Sequence, residues 1–353
     1  MKRHLFAMAM LLAGSAFAQQ RVPEISFTSV PDYPNLPAGM NFGEVPGVAV
    51  NSRGHVFVFS RSNSANGPAF GAAAAQLFEF DQNGNFVREI GKGLYAWSEA
   101  HSVRIDRNDN IWAIDKGSNM VVRFNPQGRV VWVFGRKQEA ADGAEPLRHP
   151  DPPLPPVDGN FRQPTDVAWN SQGNTYITDG YVNSRVAKYD KNGDWVKSWG
   201  SKGTGPGQFD IPHSIAIDLR DNIYVGDRTN HRIQVFHTDG NFTRMFSIDV
   251  PPDPSSRPVN GPTPTGDRLK QAIGAPNSLC MTAGPAQVLF VGESTYPGRI
   301  FKVALDGTVL GVIGRSGRNL GQFSGAHALA CPTERELYVA ETSNWRVQKL
   351  LLR

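Results

Sequence analysis

Short apolar runs alternate with clusters of glycine, asparagine and aspartate along almost the whole chain. The clearest copy of the pattern spans residues 207–247. A Gly207-Gln208-Phe209 turn leads into the apolar run 211–218, which contains Pro212-His213-Ser214-Ile215-Ala216-Ile217. The turn Arg220-Asp221-Asn222 separates it from a second run, 223–226. The polar stretch Asp227-Arg228-Thr229-Asn230-His231-Arg232 precedes a third run, 233–236, and Thr238-Asp239-Gly240-Asn241 a fourth, 242–247. Runs of this length, rich in β-branched and aromatic residues and bounded by turn formers, predict strands. The turns fit tight hairpins, because glycine accepts the positive φ they need and Asn or Asp tolerates it. The stretch therefore predicts one four-stranded antiparallel unit.

That unit recurs to give six copies. The first has runs at 46–50, 55–59, 77–80 and 86–90, and the second at 101–106, 111–114, 121–124 and 130–134. The third has 164–168, 175–178, 186–189 and 195–199; residues 207–247 are the fourth. The fifth has 276–280, 288–291, 300–303 and 309–313, and the sixth only 326–330, 337–339 and 347–351. Helix-period apolar stripes are missing, so the fold class is all-β, and tandem four-stranded units predict a six-bladed β-propeller. The sixth unit must borrow its last strand, and residues 25–30 are the expected donor. Three insertions interrupt the period, at 62–76, 136–159 and 250–271. The second and third, both rich in proline, read as surface loops; the first follows Arg61 directly and reads as a lid.

Composition narrows the setting. A chain of 353 residues is long for one ordinary core, but a ring of repeats buries each unit against its neighbours. The net charge of +4, without a basic cluster, argues against nucleic acid as a partner. Lys2-Arg3, an apolar stretch at 5–13 and Ala16-Phe17-Ala18 follow the order of a secretory signal peptide. The expected organisation is thus a signal peptide over 1–18 and one propeller over 19–353. The apolar stretch is shorter than the roughly 20 residues of a membrane-spanning helix, so an exported, periplasmic or secreted monomer is expected. Cys280 and Cys331 lie at near-equivalent places in successive units. A disulfide between them and a pair of buried thiols both remain open.

Eight histidines occur. His55, His149, His231 and His237 fall in turns, insertions or strand ends and read as solvated. His101, His213 and His327 instead share one register, the first residue of the innermost strand in units two, four and six. Alternate blades of a six-membered ring stand about 120° apart and their innermost strands line the channel, so the three imidazoles converge on the axis. Pro46, Thr165 and Asn277 take that place in the other units. Three neutral imidazoles with an open fourth position are the ligand set of catalytic zinc. One strand away, Arg61 and Arg228 follow the second strand in the same register, and Tyr181 stands at that turn in unit three. The two guanidiniums suit a carboxylate, whose paired oxygens match their fork. Beside a metal and two arginines, Tyr181 has reason for a lowered pKa and for a role as base. Arg185 and Arg232, also at turns, read as solvated.

The run from Gly207-Gln208-Phe209 through Pro212-His213-Ser214, with Asp227-Arg228 and Arg232-Ile233-Gln234, resembles the NHL-repeat family of six-bladed propellers. Phe161-Arg162-Gln163-Pro164-Thr165-Asp166-Val167-Ala168, followed by Asp179-Gly180-Tyr181-Val182-Asn183-Ser184-Arg185, is more specific. It resembles peptidyl-α-hydroxyglycine α-amidating lyase, a zinc enzyme that cleaves peptidyl-α-hydroxyglycine to a peptide amide and glyoxylate. The resemblance implies His101, His213 and His327 as zinc ligands, Tyr181 as the base, and Arg61 and Arg228 as the residues that hold or polarise the substrate. The implied substrate is a small-molecule or peptidyl α-hydroxy-amide bearing a carboxylate.

The chain departs from that family at Gly325-Ala326-His327-Ala328, where the family has Met-Pro-His-Asp. An active-site methionine and a carboxylate of a structural calcium site are thereby lost. Asp166 occupies the register of Ala328 in another blade, so calcium is a lesser expectation. Arg162 and Val182 replace the cysteines of one family disulfide. The alternative reading is a non-catalytic NHL-repeat propeller that binds a protein or peptide partner in the cell envelope. A calcium-dependent lactonase fits less well, because its site needs acidic ligands.

Overall fold

Each unit folds as an antiparallel meander because its turns are chemically closed. Asp81 accepts the backbone N–H groups of Asn83 and Asn85, and Asp190 those of Asn192 and Asp194. An aspartate that satisfies two turn amides in this way imitates a backbone turn. Gly84 and Gly193 complete these hairpins at φ of 87° and 88°. The computed structural model describes residues 22–62, 75–137 and 151–353. The signal-peptide reading of 1–18, most of the predicted lid at 62–76, His149 and part of the 136–159 insertion lie outside them.

Six four-stranded sheets result, five of them in simple meander order. Their innermost strands are Gly47–Val50, Ala100–Ile105, Pro164–Trp169, Pro212–Ile217, Pro276–Met281 and Ala326–Thr333. Their second strands are Val56–Arg61, Ile111–Asp115, Thr175–Asp179, Ile223–Asp227, Leu289–Glu293 and Glu336–Glu341. The innermost strands pack side by side around a ring that closes between blades six and one. The chain is thus an all-β, six-bladed propeller, as the repeat predicts. The sixth sheet takes its outer strand from Phe27–Ser29, which pairs antiparallel with Arg346–Leu352 in the register Phe27 to Leu352 and Ser29 to Leu350. Ile25 and Phe27 also pack on the core between blades five and six.

The core is divided among the blade interfaces. Among the described residues six apolar clusters occur, each formed by facing surfaces of adjacent blades. Trp112, Ile114 and Val121 of blade two, for example, meet Val167, Ile177 and Ala187 of blade three. Strands covered on both faces read as continuous apolar runs, which is why the inner strands carry the strongest signal in the sequence. Cys280 and Cys331 form a disulfide between the innermost strands of blades five and six. The third insertion is irregular apart from a short helix, Gly266–Lys270. Among the described residues no helix is long and apolar enough to cross a membrane.

Arg185 and Arg232 are not solvated. Both are buried, and each pairs with the acid that ends the second strand of its blade: Arg185 with Asp179 at 3.1 Å and Arg232 with Asp227 at 2.8 Å. Arg299 with Glu293 and Arg346 with Glu341 repeat the arrangement in blades five and six. The guanidiniums also donate to carbonyls of the segment leading into the blade, as Arg232 does to Thr204, Gly205 and Gln208. The acids accept a backbone N–H from the same segment: Asp227 from Asp210, Glu293 from Gly274 and Glu341 from Ser324. A turn position misled the sequence reading because the residue that buries each arginine comes from a distant crossover. His55 likewise meets a buried partner, Glu79, at 2.8 Å.

Two stability measurements test this closure. Removing residues through Val30 uncovers the flank of blade six and is expected to lower the Tm by roughly 10 °C; an unchanged Tm would count against the borrowed strand. Replacing Cys280 and Cys331 together by alanine opens a crosslink spanning 51 residues and is expected to cost about 2–4 kcal/mol in urea unfolding.

Candidate functional site

The ligand geometry begins with a repeated irregularity. In blades two to six, pairing of the innermost strand with the second slips between its first and third residues. The residue left between is His101, Thr165, His213, Asn277 or His327. Each histidine, expected as the first residue of its innermost strand, is thus its second. A bulge frees a side chain from strict in–out alternation and re-aims it. Here it turns three imidazoles toward one another, with ring centroids 4.6–4.8 Å apart. One ring nitrogen from each lies within 4.8 Å of the other two.

The neighbouring blades fix the tautomer. His101 Nδ1 lies 2.7 Å from the carbonyl of Thr165, His213 Nδ1 2.7 Å from that of Asn277, and His327 Nδ1 2.9 Å from that of Pro46. A carbonyl oxygen only accepts, so in each neutral ring Nδ1 carries the proton and Nε2 presents a lone pair. Burial is the main force keeping the rings uncharged. It pushes His101 and His213 well below the ordinary imidazole range, helped by the other histidines and by Lys116, Arg61 and Arg228. His327 is lowered to about 3 by burial and then by Arg61. Three converging, unprotonated Nε2 atoms are a donor set that fits zinc, and a carbonyl on the other nitrogen is the usual support for a ligating histidine.

The residues at or just past the ends of the second strands are tied to the same frame. The backbone N–H groups of Arg61, Lys116 and Arg228 donate to the carbonyls of Glu44, Glu99 and Ile211. Glu99 and Ile211 precede the histidines of their blades by two residues. Ile211 holds φ at 59°, an uncommon conformation for a β-branched residue that costs about 1–3 kcal/mol. Its carbonyl is the acceptor that locks Arg228 beside His213. The shared register, not sequence proximity, places the cations at the mouth of the channel.

Tyr181 stands among them. Its hydroxyl is 3.3 Å from His101 Nε2, 3.1 Å from His213 Nε2 and 3.4 Å from Arg228 Nη1. Lys116 Nζ lies 4.6 Å and Arg228 Cζ 5.4 Å from its ring centroid. Burial alone would raise the phenol. Arg228, Lys116 and Arg61 together outweigh it and hold the pKa below the ordinary tyrosine value. All six residues singled out in the sequence therefore meet at one end of the channel.

Lys116 was not among them. It follows Asp115 in blade two as Arg228 follows Asp227 in blade four, and the same register rule applied to unit two finds it. Glu99 and Glu44 were missed as well, because they lie in crossover segments outside the repeat. Glu99 pairs with Lys116 at 2.9 Å and with Arg61 at 3.4 Å, while Glu44 holds the other end of the Arg61 guanidinium.

Asp166, the acid on which a displaced calcium site would rest, is engaged differently. Arg104 binds it at 2.8 and 2.5 Å, and Ser102 Oγ at 2.9 Å. Arg104 continues to the carbonyls of Leu279 and Leu329 across the channel. A guanidinium thus fills the place beside Asp166 that a metal cation would need. A cavity of about 1250 Å³ lies elsewhere, between the segment preceding the borrowed strand and the 250–271 insertion, and none of the channel residues lines it.

A pH series on metal-free protein tests the buried imidazoles. Their unfolded pKa is about 6.5 and the native values lie lower, so below that pH the unfolded chain binds more protons. Stability is therefore expected to fall as pH drops from about 6.5 toward the native pKa, with a limiting slope near 1.4 kcal/mol per pH unit for each histidine. Urea unfolding should show a shallower slope for His327→Gln; identical slopes would mean that His327 is already charged in the folded state.

The NHL repeat model matches residues 209–236. Rattus norvegicus peptidylglycine alpha-amidating monooxygenase is 30% identical over 231 residues, which cover 59% of this chain and 22% of the rat protein. Drosophila melanogaster peptidyl-alpha-hydroxyglycine alpha-amidating lyase 1 is 25% identical over 350 residues, 89% of this chain and 58% of the fly protein. The match thus spans about a fifth of the rat protein and under two thirds of the fly protein. Among solved structures, a gluconolactonase of Xanthomonas campestris covers 95% of this chain and 96% of its own at a TM-score of 0.59 and 13% identity, a likeness of fold. The chain is a six-bladed β-propeller with an NHL repeat, and its homologues include proteins named peptidyl-alpha-hydroxyglycine alpha-amidating lyase.

Proposed function

We propose that the protein is a zinc-dependent lyase that cleaves the C–N bond of an α-hydroxyglycine-type substrate, giving an amide and glyoxylate. The observation that carries this reading is the Tyr181 hydroxyl in contact with two of three converging, neutral imidazoles. The similarity to proteins named amidating lyase supports the reaction class.

His101, His213 and His327 would hold the metal, each through Nε2. When bound there, zinc supplies Lewis acidity to the substrate hydroxyl. Tyr181 sits where a base for that hydroxyl is needed, and the surrounding cations favour its ionised form. It takes the hydroxyl proton; the carbon–oxygen bond becomes the carbonyl of glyoxylate; the electron pair of the C–N bond leaves with nitrogen. The same phenol returns the proton to the departing amide nitrogen, so protons and charge balance. The cations at the channel mouth orient the carboxylate that becomes part of glyoxylate. We also propose export to the periplasm or medium, a reading supported by residues 1–18 and by the disulfide.

The test is elemental analysis of untagged protein together with glyoxylate release from α-hydroxyhippurate. About one zinc per chain is expected, and Tyr181→Phe should lower kcat by about 10²–10⁴-fold. Zinc-loaded protein that releases no glyoxylate, with no effect of His213→Ala on metal content, would remove the lyase reading.

A further inference from the structure

Arg61 and Arg228 look equivalent in the sequence, but their surroundings differ. All three donor nitrogens of Arg61 are engaged: Nη1 with Glu44, Nη2 with Glu99 at 3.4 Å and Nε with the carbonyl of Ala100 at 3.1 Å. A guanidinium so occupied has little left for a ligand. Arg228 has no carboxylate partner among the described residues, and its side chain meets Tyr181. Lys116 is held by Glu99 at 2.9 Å. An ammonium has three donors, and Nζ stands 4.6 Å from the centre of the Tyr181 ring. The unspent hydrogen-bonding capacity beside the phenol therefore belongs to Lys116 and Arg228, from blades two and four.

We infer that Lys116 and Arg228 bind the substrate carboxylate beside Tyr181, while Arg61, tied by Glu44 and Glu99, is a positioning residue. This deepens the lyase reading and rests on it for the identity of the substrate, though not for the anion site itself. Glu99 then has a second role. It bridges Lys116 and Arg61 from the side of the site, so it competes within the protein for the cation that the ligand needs. Removing its charge releases Lys116, and removing Lys116 takes away half of the carboxylate's anchors. The two changes act on affinity in opposite directions, which a merely structural role for Lys116 does not predict.

The experiment measures binding of hippurate, which has the amide and carboxylate of α-hydroxyhippurate but no hydroxyl and so is not turned over. Calorimetric titration of full-length, metal-loaded protein compares wild type with Lys116→Met, Lys116→Arg and Glu99→Gln. Hippuramide, without the charge, serves as control. Loss of a charge-assisted hydrogen bond is expected to weaken hippurate by roughly ten- to a hundredfold in Lys116→Met. Lys116→Arg should retain most of the affinity, Glu99→Gln should bind more tightly, and hippuramide should be insensitive to all three. Hippurate binding in Lys116→Met equal to wild type, or an equal loss for hippuramide, overturns the assignment, as does wild type that does not bind hippurate. If Lys116→Met does not fold, Glu99→Gln decides: unchanged or weaker hippurate binding overturns it. Lys116-dependent hippurate binding in a protein that releases no glyoxylate would remove the lyase reading and leave the carboxylate site standing.

Discussion

The buried pairing of an acid with an arginine at the shoulder of four blades is the interaction on which the channel mouth depends. Asp179 with Arg185 and Asp227 with Arg232 bind the segment entering their own blade through both charges at once: the acid takes its amides, the guanidinium its carbonyls. Truncating either partner would strand a charge in a dry site, at a cost of about 3–5 kcal/mol. The pairs thereby hold the end of the second strand against the start of the first, the two places from which the functional side chains project. Blades one and two lack the full pair: Ser60 replaces the acid and Met120 the arginine. In those blades Glu44 and Glu99 instead reach the cations at the mouth.

A second constraint follows from what these cations do to their neighbours. Lys116, Arg61 and Arg228 surround three imidazoles that burial already keeps neutral, and the positive charges reinforce that state. The same field favours an anion, whether phenolate or carboxylate. One set of charges thus biases the histidines toward neutrality and the tyrosine toward its anion, the states that the proposed reaction would use.

The fold was largely legible because the period of strand and turn survives in every blade, and register then converts one good copy into six. His101, His213 and His327 emerge from that register alone, each one place further into its strand than the first position expected of it. Lys116 was equally legible and needed only the same comparison in unit two. Arg185 and Arg232 were misread, since a turn position says nothing about a crossover folding over it. Glu44 and Glu99 lie in those crossovers, whose lengths vary from blade to blade, and no periodicity locates them. The disulfide was undecided for a related reason: two cysteines in neighbouring inner strands are near enough to bridge and also apolar enough to pack as thiols.

The bonds from each imidazole to the next blade have an arithmetic consequence. Blades two, four and six contribute a nitrogen donor, and blades three, five and one the carbonyl that orients it. The repeating unit of the histidine arrangement is therefore a pair of blades, although the repeating unit of the fold is one. A ring built this way closes only with an even number of blades, and six gives three pairs and so three converging imidazoles, which on the proposed zinc reading would leave one position of a tetrahedral metal open. Gain or loss of a single blade would preserve the architecture and break the alternation, placing two donors or two carbonyls side by side. Parity, as much as residue identity, is what this centre requires of its scaffold.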